Sequence, residues 1–278
     1  MNAKVISGLS DAEYFALPGV NQSRLKVLAK SPSHFRASVE SEARELVIGD
    51  AVHLAALRPS LFKTSYIQAG TCSAKKADGI TCGVTGKLLS PEGQWRCGTH
   101  GKGAYPAPQR ILSLEEFATV SACAKSITSR FEELCIPKSS LIEQVITWDD
   151  DVTGIACKAK IDLIEPETGI VIDIKTCADA SARGFTDAVG RYQYHLQAAW
   201  YWWAAREAFG IDCSVRFCCV EKEPPFGCPV YTLNAAAMSA GSDLARSYLD
   251  ILAVCKSEEA WPSYPDGEIA LPAWAAKQ

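Results

Sequence analysis

The sequence has no excess of positive charge. Its 28 Lys and Arg stand against 32 Asp and Glu, a formal net charge of −4. No overall basic field therefore draws it to a polyanion, and any nucleic-acid contact must come from a local basic track. Long apolar runs are also missing: none reaches the ~18 residues of a membrane span. The opening stretch MNAKVISGLSDAEYF lacks the apolar core of a signal peptide, so the expectation is a cytoplasmic protein. There is no internal repeat and no low-complexity tract, which excludes repeat arrays.

What the chain has in plenty is cysteine, twelve in all. That is many for a reducing compartment, where disulfides are rare. Some are expected to be metal ligands and the rest small buried apolar residues. With 278 residues, 48% hydrophobic and 22% charged, the composition is that of an ordinary globular protein. A chain this long buries roughly 70–75% of its unfolded surface, so its core needs no disulfide framework. The organisation expected is one large domain over 1–278 with an inserted module at 70–108, where Gly, Cys, Lys and Pro replace long apolar runs.

The first forty or so residues read as helical, with a break at Ser31-Pro32-Ser33 and Asn21 or Ser23 as cap. Glu45 to Leu57 reads as a second helix, ended by Pro59. After the module, Ser113 and Glu116 form a capping box for a helix reaching Leu134. Leu141–Trp148, Gly154–Ile164 and Gly169–Lys175 are strand candidates joined by turn-like Asp149-Asp150-Asp151 and Glu165–Gly169, hence an antiparallel meander. A helix rich in aromatics, Arg191 to Phe209, ends at Gly210. Ser214–Glu221 and Cys228–Leu233 form a last strand pair. A helix from Asn234 to Lys256 precedes an irregular, Trp- and Pro-rich tail, Trp261 to Trp274.

One segment carries chemistry. Asp162 lies near the end of one strand, and Asp173-Ile174-Lys175 ends the next. Strand residues two apart share a face, so Asp173 and Lys175 project together, and a hairpin can bring Asp162 beside them. Two carboxylates and a lysine make a hard-oxygen site for Mg²⁺ or Mn²⁺, with the Ile174 carbonyl as an extra ligand. Such an ion polarises a scissile phosphate and acidifies a bound water, while Lys175 orients the water or offsets charge developing at phosphorus. By spacing alone, solvated charges at strand ends are the better reading, since Asp-x10-Asp-x-Lys is common by chance. What singles them out is that they interrupt apolar strands, where an unpaired charge is costly.

Downstream, Tyr194, Gln197 and Tyr201 lie at i, i+3 and i+7 and share one helical face. They offer an amide and two phenols that could bond phosphate or stack on a base. Trp200, Trp202 and Trp203 read as core. Upstream, His53 follows Gly49 by four residues on a mostly apolar helix, where a lone histidine is more often a core residue than a ligand.

Taken in order, Gly49-x-x-x-His53, Asp162, Asp173-x-Lys175 and Gln197-x-x-x-Tyr201 resemble the PD-(D/E)XK nuclease superfamily, and more narrowly its phage exonuclease VIII (RecE-like) branch. The blocks PGVNQSRLKVLAKSPSHFR, GDAVHLAALRP, TGIACKAKIDLI, GIVIDIKTCADAS, YQYHLQAAWY, VEKEPPF and WPSYPDGEIALPAWA carry the likeness through most of the chain. The resemblance implies an α+β (α/β/α) restriction-endonuclease-like core, a central mixed sheet flanked by helices. It also implies two Mg²⁺ ions and 5′→3′ exonuclease action on linear duplex DNA. The single-stranded tails would serve recombination in a bacterial or phage setting, with a single-strand annealing protein as partner and a ring-shaped homo-oligomer as assembly. By position it makes His53, Asp162 and Asp173 metal ligands and Lys175 the catalytic lysine. Glu143 stands where the branch often has a strand glutamate. Ile161 stands where the superfamily name has proline.

Within the module, Cys72-x9-Cys82-x14-Cys97-x2-His100 supplies three thiolates and an imidazole, a set suited to one tetrahedral structural Zn²⁺. It resembles small zinc-ribbon-like modules of the form Cys…Lys-x-x-Gly-x-x-Cys…Trp-x-Cys-Gly-x-His. The module has too few apolar residues to fold unaided, and a zinc site contributes roughly 10–16 kcal/mol in small peptides. Lys75, Lys76, Lys87, Arg96 and Lys102 make it basic. A flexible loop with free thiols is the plainer reading. An iron–sulfur cluster, carried by some relatives on cysteines flanking the core, is another. Here Cys213, Cys218, Cys219 and Cys228 fall on strand candidates and read as core, and Cys157 and Cys177 as packing residues. Two other functions stay open: a non-catalytic DNA-binding protein and an endonuclease on the same fold.

Overall fold

The computed structural model describes residues 3–38, 47–106, 109–271 and 275. Its centre is a six-stranded mixed sheet. The strands, in spatial order, are β1 (Lys4–Ile6), β7 (Leu141–Asp149), β8 (Ala156–Glu165), β9 (Ile170–Cys177), β10 (Ser214–Glu221) and β11 (Val230–Thr232). Neighbours are antiparallel except β9 and β10, which run parallel. A parallel step needs a crossover. Two helices supply it, α7 (Ala182–Arg191) and α8 (Tyr194–Phe209).

Apolar side chains alternate along the strands and feed two cores. Val171 joins one, while Ile172 and Ile174 join the other. The first core packs the sheet against α2 (Gln22–Leu25), α3 (Pro32–Ala37), α8 and α9 (Ala235–Ser257), through Leu25, Phe35, Leu196, Trp200 and Leu249. The second packs it against α4 (Val47–Leu57), α5 (Pro59–Ser65) and α6 (Leu114–Glu133), through Val52, Phe62, Val120 and Ile127. The helices are thus divided between the two faces, as expected of an α/β/α core. At Gly241 in α9, a Cβ would lie 2.1 Å from the His195 carbonyl oxygen of α8, so only glycine lets these helices approach so closely.

Local signals place most ends. Ser113 and Glu116 form the expected capping box on α6, and Asn234 caps α9. Asn21 accepts from the Arg24 amide at the start of α2. Pro32 begins α3 at its first turn, with Ser31 as N-cap, rather than only breaking a helix. Pro59 likewise starts α5. The N-terminal segment also holds β1 and α1 (Asp11–Ala16), so it is not uniformly helical. The helix expected from Arg191 starts at Tyr194, and the sequence carries no expectation of α7 before it: Gln193, in a left-handed conformation (φ 52°), separates the two and re-aims the chain into α8. Glu45 and Trp274 lie outside the described residues.

The module leaves the core through β2 (Tyr66–Gln68) and returns through β6 (Arg110–Leu112), which pair in parallel as its neck. Between them, β3 (Leu88–Leu89), β4 (Trp95–Arg96) and β5 (Tyr105–Pro106) make a small antiparallel sheet. Trp95 packs over Gly70, where a Cβ would meet the indole at 1.9 Å. Among the described residues, no helix is long and apolar enough to cross a membrane.

Candidate active site

The ladder between β8 and β9 pairs Glu165 with Ile170, Ile164 with Val171 and Leu163 with Ile172, and then stops. The next residues are Asp162 and Asp173. The site therefore opens where two central strands part, and not, as expected, at strand ends: both strands run on past it. Asp162 Oδ2 bridges the gap by accepting from the Ile174 amide at 2.8 Å.

His53 comes in from α4. Its Nδ1 lies 2.7 Å from the Gly49 carbonyl, one turn earlier. A carbonyl only accepts, so Nδ1 carries a proton whether the ring is neutral or charged, and Nε2 is the nitrogen that faces the site. Nε2 lies 3.0 Å from both Asp162 Oδ2 and the Ile174 carbonyl oxygen. Burial opposes charging this ring, but the Asp162 carboxylate beside it outweighs that and lifts its pKa to about 9. Burial likewise works against the Asp162 carboxylate, and the His53 charge brings its pKa below the usual value.

Asp173 is 3% exposed. Gln197 Nε2 donates to its Oδ1 at 2.7 Å and lies 3.0 Å from the Tyr201 hydroxyl. Its Oδ2 lies 2.6 Å from Lys175 Nζ, with no other hydrogen-bond partner among the described residues. Burial raises the Asp173 pKa. Lys175 sits over the Tyr194 ring at 4.7 Å; burial acts against its charge, but Asp173 holds its pKa above the ordinary value.

The residues expected from sequence thus converge: His53, Asp162, Asp173, the Ile174 carbonyl and Lys175, with Gln197, Tyr201 and Tyr194 behind them. Gln197 and Tyr201 are 4% and 5% exposed. That is too deep for the expected contact with a phosphate or a base; Gln197 instead bonds the Asp173 carboxylate, with Tyr201 behind it. Glu143, to which the sequence assigns no definite role, is placed by the sheet. It stands across from Asp162, between the pairs Ile142–Leu163 and Gln144–Ile161, with a left-handed backbone (φ 48°). Its carboxylate is taken by Arg58 at 2.8 Å and Lys160 at 3.5 Å.

One cation escaped the sequence reading. Lys26, at the end of α2, donates to the Tyr192 carbonyl at 3.0 Å and faces the Tyr194 ring at 5.8 Å. Burial, and then the charge of Lys175, push its pKa down to about 7. A lysine on a short amphipathic helix carries no sequence signal of this; only the packing of α2 against α8 brings it here.

Could these groups hold a divalent ion? His53 Nε2, Asp162 Oδ2 and the Ile174 oxygen are spaced at 3.0 Å on two of their edges. Ligands about 2.1 Å from one ion, at right angles, stand roughly 3 Å apart. Two carboxylates, a carbonyl and one imidazole form a hard donor set of the kind Mg²⁺ or Mn²⁺ takes, and the residues fit.

The second cluster lies in the module. Cys72, Cys82, Cys97 and His100 bring their ligand atoms within 4.8 Å of one another. His100 Nδ1 is 3.3 Å from Cys97 Sγ and 3.6 Å from Cys72 Sγ, and Cys82 and Cys97 Sγ are 3.9 Å apart. A tetrahedron with ligand bonds of 2.0–2.3 Å has edges of roughly 3.3–3.8 Å, so this set also fits one ion. The His100 amide draws the Cys97 thiol pKa down to about 6, favouring the thiolate a metal needs. Of the other cysteines, Cys123, Cys157, Cys213, Cys218, Cys219 and Cys255 are buried as expected and Cys177 and Cys228 partly so, but Cys135 is exposed, and Cys213 and Cys228 lie just before β10 and β11 rather than on strands.

Comparison with known proteins bears on the family and the fold. A family model described as a PDDEXK-like domain of unknown function (DUF3799) matches residues 21–270. The chain belongs to this PDDEXK-like family. A crystal structure titled "putative exonuclease" from Eubacterium rectale has the same fold, with a TM-score of 0.56 at 15% identity over 97% of this chain and 98% of that one. A phage related exonuclease from Haemophilus somnus 129PT is similar at a TM-score of 0.30 and 13% identity over 49% of this chain and 69% of that one. No curated protein matches. The PDDEXK-like family assignment accounts for the meander, the crossover and the flanking helices.

Proposed function

We propose that this PDDEXK-like protein is a Mg²⁺- or Mn²⁺-dependent exodeoxyribonuclease, acting 5′→3′ on linear duplex DNA and leaving single-stranded tails for an annealing protein to pair. The observation that carries the reading is the convergence of His53, Asp162, the Ile174 carbonyl and the Asp173–Lys175 pair at the gap between β8 and β9. Polarity and use in recombination rest on the RecE-like resemblance.

His53, Asp162, Asp173 and the Ile174 carbonyl would hold the metal, expected as two ions. Bound there, it supplies Lewis-acid polarisation of the phosphate and a more acidic water. The protein's share is positioning. The Gly49 carbonyl fixes the His53 tautomer, and Gln197 locks the Asp173 rotamer, an outer layer of the kind that orients metal ligands. Lys175 is held by Asp173 and the Tyr194 ring with its ammonium at the site. From there it orients the attacking water and offsets negative charge developing on the phosphoryl oxygens as the phosphodiester bond breaks. In the module, Cys72, Cys82, Cys97 and His100 hold one structural Zn²⁺, a closed site with no open position for substrate.

Digestion of end-labelled linear duplex with Mg²⁺ or Mn²⁺ tests the reading. Wild-type protein is expected to release nucleotides progressively from 5′ ends and to spare covalently closed circles. Cleavage of closed circles would make it an endonuclease. Tight binding with no cleavage in either metal would make it a DNA-binding protein.

A further inference from the structure

The −4 net charge is unevenly spread. Residues 70–108 hold five cations, Lys75, Lys76, Lys87, Arg96 and Lys102, against two carboxylates, Asp78 and Glu92, for +3. The rest of the chain, −4 less +3, therefore carries −7. Three thiolates around a dication would take one charge from the module and leave it +2, still opposite in sign to the rest. The carboxylates are engaged locally: Asp78 accepts from the Ile80 amide and Glu92 from the Ser90 hydroxyl. Lys75, Lys76, Lys87 and Lys102 are all exposed. Among the described residues none of these four is in an ion pair, and Lys75 donates to the Thr81 hydroxyl.

The module is also tied to the catalytic helix. Tyr66 and Arg110, opposite each other in the neck, both donate to Asp50 Oδ2, Arg110 at 2.9 Å. Asp50 is three residues before His53 on α4, so the two lie on neighbouring turns of one face. The basic module is therefore rooted within about one helical turn, ~5 Å along the axis, of a metal ligand.

We propose that the module is a sequence-independent grip on the DNA backbone, holding the duplex beside the active site through Lys75, Lys76, Lys87 and Lys102. This rests on the nuclease reading for the identity of the polyanion and for the active site at His53. An acidic protein needs such a device, because its net field repels the substrate that its active site must receive.

The test is affinity of the full-length protein for a fluorescent 30-base-pair duplex, by anisotropy without Mg²⁺, across a NaCl series. Replacing the four lysines with alanine is expected to weaken binding at least tenfold at 50 mM salt. It should also lower the slope of log affinity against log salt by about 0.9 per lost phosphate contact, up to ~3.6. In Mg²⁺, KM for linear duplex should rise at least tenfold with kcat within twofold. Arginine at the same positions should restore all three. Zinc content, equal in both variants and wild type, shows that the module has folded. Unchanged affinity and slope in the alanine variant overturn the grip, as does an equal loss in the alanine and arginine variants. Failure of the nuclease reading looks different: wild type would bind DNA with the full salt slope and cleave nothing.

Discussion

The catalytic sheet and the module hold charged groups together in opposite ways. Around Asp162 and Asp173 the scaffold is dry and continuous. Ile161, Ile164, Ile172 and Ile174 are almost fully buried, and helices pack on both faces. The carboxylates are fixed by that packing and by protein donors such as Gln197 and the Ile174 amide. In the module, residues 73–85 are mostly exposed, with Ile80 and Val84 63% and 54% accessible, and its strands are two residues long. Few apolar contacts offset the conformational entropy of ordering it, so on the proposed reading a metal at the four-ligand cluster holds its fold. The core should keep its structure without metal and lose activity; the module should lose its structure.

The largest effect should follow from Asp173→Asn. Nuclease activity is expected to fall by about a thousandfold or more, the scale of losing a group aimed at developing charge, with the melting temperature shifted by only a few degrees. Retained activity in a labelled-duplex assay would remove Asp173 from the chemistry. Next, Cys97→Ser should abolish zinc binding and let a protease cut within residues 70–106, while the core's helical circular dichroism persists. Stoichiometric zinc in that variant, or unfolding of the whole protein, would break the contrast between the two regions.

A smaller effect is expected from Gln197→Ala. It leaves every proposed ligand in place but frees the Asp173 rotamer, and should cost roughly 10–100-fold in Mg²⁺ affinity or activity. A Mg²⁺ titration of the cleavage rate checks this. The smallest concerns stability alone. Arg246 binds both oxygens of the buried Asp150 at 2.8 and 2.7 Å, joining the β7–β8 turn to α9. Arg246 is 31% exposed, so its loss should cost about 2 kcal/mol, less than breaking a fully buried pair. Burial opposes the Asp150 charge, but the Arg246 bond outweighs it and lowers the pKa. A depressed carboxylate pKa adds stability above the unfolded value, near 4, and that stability is lost as pH falls through the folded value. The difference in melting temperature between Arg246→Ala and wild type should therefore be full at neutral pH and shrink in acid.

Much of this was legible in the chain because it is written in local chemistry. The Ser113–Glu116 capping box, the turn acids between strands, Gly210 and the short thiol-to-imidazole spacing of Cys97–His100 act within a few residues. The kink at Gln193 was not, since a left-handed glutamine has no composition cue and is imposed by the packing of α7 and α8 around it. Nor was the place of Glu143, which has the charge of a metal ligand but is claimed by Arg58 and Lys160.

By itself, then, the sequence determined most of the core elements, and it singled out Asp162, Asp173 and Lys175 and the Cys72, Cys82, Cys97 and His100 cluster that the fold brings together. Only the tertiary structure decided where the strands part, which nitrogen of His53 faces Asp162, that Gln197 bonds the Asp173 carboxylate, that Lys26 crosses to the site, and that the module is anchored at Asp50. The physical reason is range. Propensity and spacing act over a few residues, whereas each of these contacts joins groups that are distant in the chain or depends on such a contact, and is set by which surfaces bury most apolar area together.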